Sequence, residues 1–180
     1  MSKTITKQYF ARDTLLVARS LIGCVLNCDS CSGRIVEVEA YTDDEASHGH
    51  RRTERSALMH DTYGHVYVYF IYGMYHCLNF TTDRNSSGAV LIRAIEPLSG
   101  IEIMQHRRKT ANLRNLCSGP GKLCQAFAID MSFNGSRIGE KITLKQGISK
   151  TIATSSRVGI KKATELEWRF FEKDNPFVSR

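Results

Sequence analysis

The chain has few of the features that interrupt, cross-link or anchor a fold. It holds three prolines and one tryptophan in 180 residues, and no apolar run approaches the roughly 18 residues that would cross a membrane. With no repeat and no low-complexity tract, the scarcity of proline excludes a Pro-rich linker and predicts one continuous domain over residues 1–180. The first residues, Met1-Ser2-Lys3-Thr4-Ile5, lack the apolar core and small-residue cleavage site of a secretory signal. The expected compartment is therefore a reducing one: the cytoplasm, around the nucleoid, in a bacterium, or the nucleus in a eukaryote.

Six cysteines are present: Cys24, Cys28, Cys31, Cys77, Cys117 and Cys124. Without a secretion signal they do not read as a disulfide framework. No Cys/His set has the paired spacing of a zinc site, so no metal or other cofactor is expected. Cys24, Cys28 and Cys31 do share the spacing with which radical-SAM enzymes hold an iron–sulfur cluster. Against that reading, Ser30 stands where such motifs carry an aromatic residue, and no βαβ repetition is visible. Charge is plentiful: 25 Lys and Arg against 18 Asp and Glu give a net charge of +7, which attracts phosphate backbones without proving that any is bound.

Strands and helices alternate irregularly, with hairpins in place of βαβ units, which predicts an α+β fold with an antiparallel sheet. Asp13 caps a short helix through Leu15, Leu16, Ala18 and Leu21, with Gly23 as its stop. Strands over 24–27 and 34–41 flank a turn at 29–33. Residues 42–65 are polar and irregular, as functional or disordered loops are. The aromatic stretch from His65 to Phe80 predicts a hairpin with its tip near Tyr72 and Gly73. A strand over 89–95 is expected to end at Pro97, and Ser99 with Glu102 has the spacing of a capping box. A helix from Ser118 to Ile129 and short strands near 141–144 and 169–172 complete the chain.

Strict alternation along 34–41 puts Val36, Val38 and Ala40 on one face and Ile35, Glu37, Glu39 and Tyr41 on the other. Two carboxylates and a ring on one surface suit an active site; they equally suit a solvated acidic face. In the hairpin, Tyr67, Tyr69 and Ile71 share a face, and so do Tyr75, Cys77 and Asn79. Such a face suits a flat ligand such as a base, or ordinary sheet packing. Tyr72 and Met74 at an exposed tip would gain little from folding, whereas a wedge between base pairs would use them. Arg93 could orient a carboxylate, bind phosphate or lie idle on the surface. Lys122, beside Gly119, Pro120 and Gly121 at a helix start, could contact a DNA phosphate or belong to a simple cap.

Taken together, these segments resemble the alkyladenine (3-methyladenine, methylpurine) DNA glycosylase family. The matching segments are 34–41 (Arg34 to Tyr41), 44–48 (Asp44 to His48), 67–75 with Asn79, 91–97 (Leu91 to Pro97), 116–125 (Leu116 to Gln125) and 157–160 (Arg157 to Ile160). The resemblance implies a single compact domain with a curved antiparallel sheet, flanking helices and a protruding hairpin that enters DNA. It implies Glu39 as general base, with Arg93 and the backbone of Val158 holding the attacking water. It implies a base pocket of Tyr41, Ala46, His48, Tyr69 and Asn79, with Asn79 crowding out the 2-amino group of guanine. Tyr72, with Met74 beside it, would fill the gap left in the stack. The implied partner is duplex DNA containing damaged purines, met by a monomer that acts ahead of an abasic-site endonuclease. One loop departs from the pattern: Thr53-Glu54-Arg55 stands where the family usually has Thr-Pro-Arg, which puts the local DNA contacts in doubt. No lysine falls in the segments assigned to the pocket, so water, and not a Schiff-base amine, is the expected nucleophile. A module that recognises damage without cutting is the rival reading, and Glu39 argues against it, because a carboxylate beside phosphates does nothing for a mere binder.

Overall fold

The computed structural model describes residues 3–179. In chain order the regular elements are α1 (Thr14–Leu21), β1 (Val25–Cys28), β2 (Cys31–Tyr41), α2 (Ala57–Asp61), β3 (Val66–Ile71), β4 (Tyr75–Thr81), β5 (Ala89–Ser99), α3 (Ile101–Arg108), α4 (Pro120–Phe127), β6 (Ile142–Lys145), β7 (Ile152–Ser155) and β8 (Arg169–Glu172). Every strand pairing is antiparallel, in the order β3-β4-β5-β2-β1-β6. The sheet curls into a half-barrel, and the chain is a single compact α+β domain.

β2 is the strand on which the rest is assembled. One of its edges runs along β5; the other is shared, with β1 beside residues 31–34 and β8 beside residues 37–39. Between those two stretches the register against β5 slips, so that Val36 on β2 and Arg93 on β5 have no partner in the ladder. Such a bulge bends the strand and re-aims its side chains. Its effect here corrects the expected alternation. Ile35 joins Val38 and Ala40 in the main core, and Val36, although buried, does not. Glu37, Glu39 and Tyr41 remain together on the opposite face. The core packs these strand residues against Val17, Ala18 and Leu21 of α1, Met104 of α3, and Leu123, Ala126 and Phe127 of α4.

Asp13 caps α1 as expected, its carboxylate accepting from the Leu16 N–H at 3.0 Å. Other expectations need correction. The β1–β2 turn has two residues, not five, because Asp29 adopts a left-handed φ of 51° and lets Cys28 pair directly with Cys31. β5 does not end at Pro97. β4 accompanies only residues 89–91 of β5, so the missing proline N–H costs no bond on that side. The capping box does not form. Gly100 is the N-cap of α3 at φ 72°, where an added Cβ would lie 2.5 Å from the Ser30 carbonyl oxygen. Ser99 stays in β5 and bonds the Ser32 hydroxyl at 2.7 Å. The 42–65 segment is folded, with a 3-10 turn at His48–His50 and the short α2. β7 was not anticipated; it has four residues, none of them fully buried, and pairs only with β8.

The two helix starts therefore respond differently to truncation. Asp13→Ala removes a real cap and should cost about 1 kcal/mol in urea unfolding. Ser99→Ala removes an exposed hydroxyl outside any helix cap and should stay within about 0.5 kcal/mol of wild type. Equal losses at the two positions would contradict these assignments.

Candidate active site

The β3–β4 hairpin, the strand ends of β2 and β5 and three loops enclose a cavity of about 560 Å³. The pairings Tyr67 with Asn79, Tyr69 with Cys77 and Ile71 with Tyr75 put all six side chains on its wall, as the period of two requires. Tyr41, Ala46, His48, Leu91, Arg93 and Val158 close the other sides. The His48 ring meets the edge of Tyr69 at 4.8 Å between centroids, and its Nδ1 is 3.0 Å from the Tyr67 hydroxyl. His48 is open to solvent on one side and crowded by protein on the other. That crowding, and the Arg55 guanidinium, hold the imidazole below the usual histidine range. Burial pushes the Tyr69 hydroxyl well above the ordinary phenol range, so it stays protonated. Asn79 is buried, with its Nδ2 donating to the carbonyls of Tyr67 at 3.0 Å and Cys77 at 3.3 Å, which fixes the orientation of the amide.

Glu39 lies just behind this wall with no solvent exposure. Two donors and one ion pair hold its carboxylate: the Val158 N–H donates to Oε1 at 2.6 Å, the Tyr41 hydroxyl donates to Oε2 at 2.8 Å, and the Arg93 guanidinium pairs with Oε1, Nη1 lying 3.3 Å away. Burial and the negative charge of Glu39 raise the Tyr41 hydroxyl, so it remains a donor. The resemblance implies that Arg93 and Val158 hold a water; in the structure both reach the carboxylate itself. Val158 is carried by Arg157, which is buried, donates to the Ala40 carbonyl at 3.0 Å, pairs with Asp44 at 2.6 and 3.0 Å, and lies over the rings of Tyr41 and Trp168. The Asp44–Arg157 pair thus ties the 42–46 loop to the loop that presents Val158.

The hairpin tip stands apart from this packing. Tyr72 is 78% exposed at a left-handed φ of 54°, and Met74 is 64% exposed. Holding a tyrosine in that backbone region costs roughly 1–2 kcal/mol. Immediately below the tip the hairpin is braced, because Gly121 of α4 lets the Tyr75 ring approach to where a Cβ would lie 2.7 Å from it. Lys122 is on the cavity wall, its Nζ donating to Asn115 Oδ1 at 2.6 Å. The cavity therefore does contain a lysine, contrary to expectation, and its amine is already engaged.

Of the residues singled out from sequence, Tyr41, Ala46, His48, Tyr69, Tyr72, Asn79, Arg93, Lys122 and Val158 converge on this one cavity, with Glu39 directly behind. Met74 faces a neighbouring hollow. Sequence reasoning put Tyr67 on the aromatic face but gave it no part in the pocket, which it lines. It also passed over Arg157 and Asp44, which lie within matching segments. Arg55, from the loop that departs from the family pattern, still packs its guanidinium 5.0 Å over the Tyr69 ring. The three cysteines of the cluster-like run are not gathered: Cys24 Sγ faces the Ser20 carbonyl, Cys28 the Phe127 carbonyl and Cys31 the Gly100 carbonyl. Among the described residues no three Cys, His, Asp or Glu side chains converge as a ligand set.

The site thus sets a buried carboxylate at the end of an aromatic pocket, beside an exposed apolar hairpin tip. Residues 8–176 match the model of the methylpurine-DNA glycosylase family, and the chain belongs to that family. It is a DNA glycosylase, a hydrolase of N-glycosyl bonds acting on DNA. Relatives carry the provisional name 3-methyladenine DNA glycosylase. A Rhizobium johnstonii protein is 45% identical over 97% of this chain and 88% of its own length. One from Prosthecochloris aestuarii is 43% identical over 98% of this chain and 91% of its own. One from Methanoculleus marisnigri is 41% identical over 98% and 99%.

The Asp44–Arg157 pair makes a pH prediction. Partial burial works to raise the Asp44 carboxyl, but the hydrogen bonds and charge of Arg157 outweigh it and hold the group below the usual aspartate range. A depressed folded value stabilises the fold above the unfolded value and is lost as pH falls through the folded one. Thermal stability should drop on acidification below about pH 4. Asp44→Asn should start lower at neutral pH and fall less steeply across that window. A parallel acid limb in the two proteins would remove Asp44 from this role.

Proposed function

We propose that this glycosylase flips an alkylated or deaminated purine out of duplex DNA and hydrolyses its N-glycosidic bond with a water activated by Glu39, leaving an abasic strand. The lesion classes are those of 3-methyladenine, hypoxanthine and ethenoadenine. The observation that carries the reading is the Glu39 carboxylate, wholly buried and held by two hydrogen-bond donors and the Arg93 guanidinium at the back of an aromatic cavity of base-binding size. A group so placed serves two ends. It takes a proton from water, and its charge stabilises the cationic sugar of the transition state. The water oxygen bonds to C1′ as the C1′–N bond breaks; the departing base keeps the electron pair, and the water proton passes to Glu39. A purine alkylated at N3 or N7 carries positive charge beforehand and leaves as a neutral base; hypoxanthine and ethenoadenine are neutral, so each must take up a proton, supplied by solvent, as it departs.

The aromatic wall supplies the binding. Flipping costs a few kcal/mol, less for a poorly paired lesion, and stacking returns about 1–3 kcal/mol per base. Tyr41, His48 and Tyr69 would sandwich and read the base, with Ala46 beside them. Asn79, its amide fixed by two carbonyls, would meet the 2-amino group of guanine and exclude it. Tyr72 would fill the vacated stack, with Met74 alongside, and Lys122 would contact a phosphate once released from Asn115. The enzyme acts as a monomer and hands its abasic product to an endonuclease.

Two experiments test the reading. Glu39→Gln keeps the shape but can neither take a proton nor offer charge. On a duplex with one hypoxanthine it should lose excision while keeping lesion affinity, and borohydride should trap no adduct with wild type. Near-normal excision by the variant would overturn Glu39 as base, and a trapped complex would put Lys122 in place of water. Tyr72→Ala removes an exposed side chain, so the protein should fold as stably as wild type yet bind lesion DNA more weakly and excise more slowly. Unchanged affinity and rate together would exclude the wedge.

A further inference from the structure

Glu37 precedes Glu39 by two residues on the same strand face and is equally buried, yet it does not reach the cavity. Its carboxylate is fully engaged. Oε1 accepts from Arg93 Nε at 3.0 Å, Arg169 Nε at 2.7 Å and the Ser179 hydroxyl at 2.8 Å; Oε2 accepts from the Ser179 N–H at 2.6 Å. Ser179 is held in turn, with its hydroxyl 3.4 Å from Arg93 Nη2 and its carbonyl accepting from Arg169 Nη2 at 3.2 Å. Resting on the proposed role of Glu39, we infer that Glu37 and Ser179 form a cradle that positions Arg93 for the reaction.

The geometry of the guanidinium carries the inference. Arg93 is a planar fork whose orientation follows from which edge is bound. Nε and Nη2 are taken by Glu37 and Ser179, so only Nη1 is left to face Glu39, at 3.3 Å. A single cation is thus shared by two buried carboxylates, while Arg169 balances the second charge from the far side of Glu37. If Glu37 were neutral, Arg93 would turn its whole fork onto Glu39. A closed pair of that kind would take up lone pairs that Glu39 needs for water. The bulge supports the arrangement, because Arg93 lies outside the β2–β5 ladder and its backbone is set by the slip opposite Glu37. Ser179 reaches this point from 142 residues further along the chain, so the closing segment of the domain takes part in aiming a side chain of the site.

Single-turnover excision of hypoxanthine by wild type, Glu37→Gln, Arg93→Met and the double variant tests the cradle. Glu37→Gln should slow the chemical step about 100-fold, as misplacement of a reacting group does, with the dissociation constant for lesion DNA unchanged. Because Glu37 acts through Arg93, the double variant should be no slower than Arg93→Met alone. An undiminished rate in folded Glu37→Gln, or losses that multiply in the double variant, would overturn the inference. If Glu37→Gln does not fold, Ser179→Ala serves instead. It removes one hydroxyl from the same fork without stranding a buried charge, and should show a smaller loss that again vanishes in the Arg93→Met background; a wild-type rate there overturns the cradle. Failure of the proposed function itself looks different: wild type would leave hypoxanthine in place, or Glu39→Gln would still release it.

Discussion

Two carboxylates with no solvent exposure, two residues apart on β2, impose the main constraint on this fold. An unpaired buried charge costs several kcal/mol, so each must be met by donors wherever the chain can supply them. Local sequence supplies one, the Tyr41 hydroxyl. The rest come from far away: Arg93 from β5, Val158 from the loop after β7, Arg169 from β8 and Ser179 from beyond it. The return of the last third of the chain to β2 follows from this demand as much as from apolar burial. β8 pairs with β2 at residues 37–39, the stretch that carries both acids.

The bulge at Val36 reconciles that polar stretch with the core. Without it, Ile35 would share a face with Glu37 and Glu39, and the core beneath α1 would lose a fully buried aliphatic side chain, a group that contributes on the order of 1.5–3 kcal/mol. The slip places Ile35 inward and still leaves both acids outward. It also falls where the partner of β2 changes from β1 to β8, so one irregularity serves both the packing and the branching of the sheet.

Much of this was legible in the residues. The period of two along the hairpin put Tyr67, Tyr69, Cys77 and Asn79 on one wall, and strand pairing kept them there. Asp13 announced its helix because the cap is a local bond. What was not legible is non-local. A bulge depends on the partner strand, so alternation alone misassigned Ile35 and Val36. Pro97 was taken as an end because sequence does not show where β4 stops. Ser99 and Glu102 fit the spacing of a capping box, but the close approach of Gly100 to Ser30 settled the helix start instead. Nothing in the sequence marked Ser179, a lone serine whose partners lie on three distant strands.

The hairpin carries the same contrast between site and scaffold. Its stem is braced along its length: six residue pairs join β3 and β4, and Tyr75, next to the turn, is seated on Gly121 of α4. Its tip opposes stability at two points, with a tyrosine in left-handed backbone and two large apolar side chains in water. Selection for folding alone would replace Tyr72 with glycine or asparagine, which adopt that backbone readily. A stiff lever with an unsatisfied end suits the wedge role proposed for Tyr72, because force applied at the tip would reach stacked bases only if the stem did not give. The strain and exposure at Tyr72 share one property with the buried acids: both are unfavourable for the free protein, and both are held in place by packing that lies elsewhere.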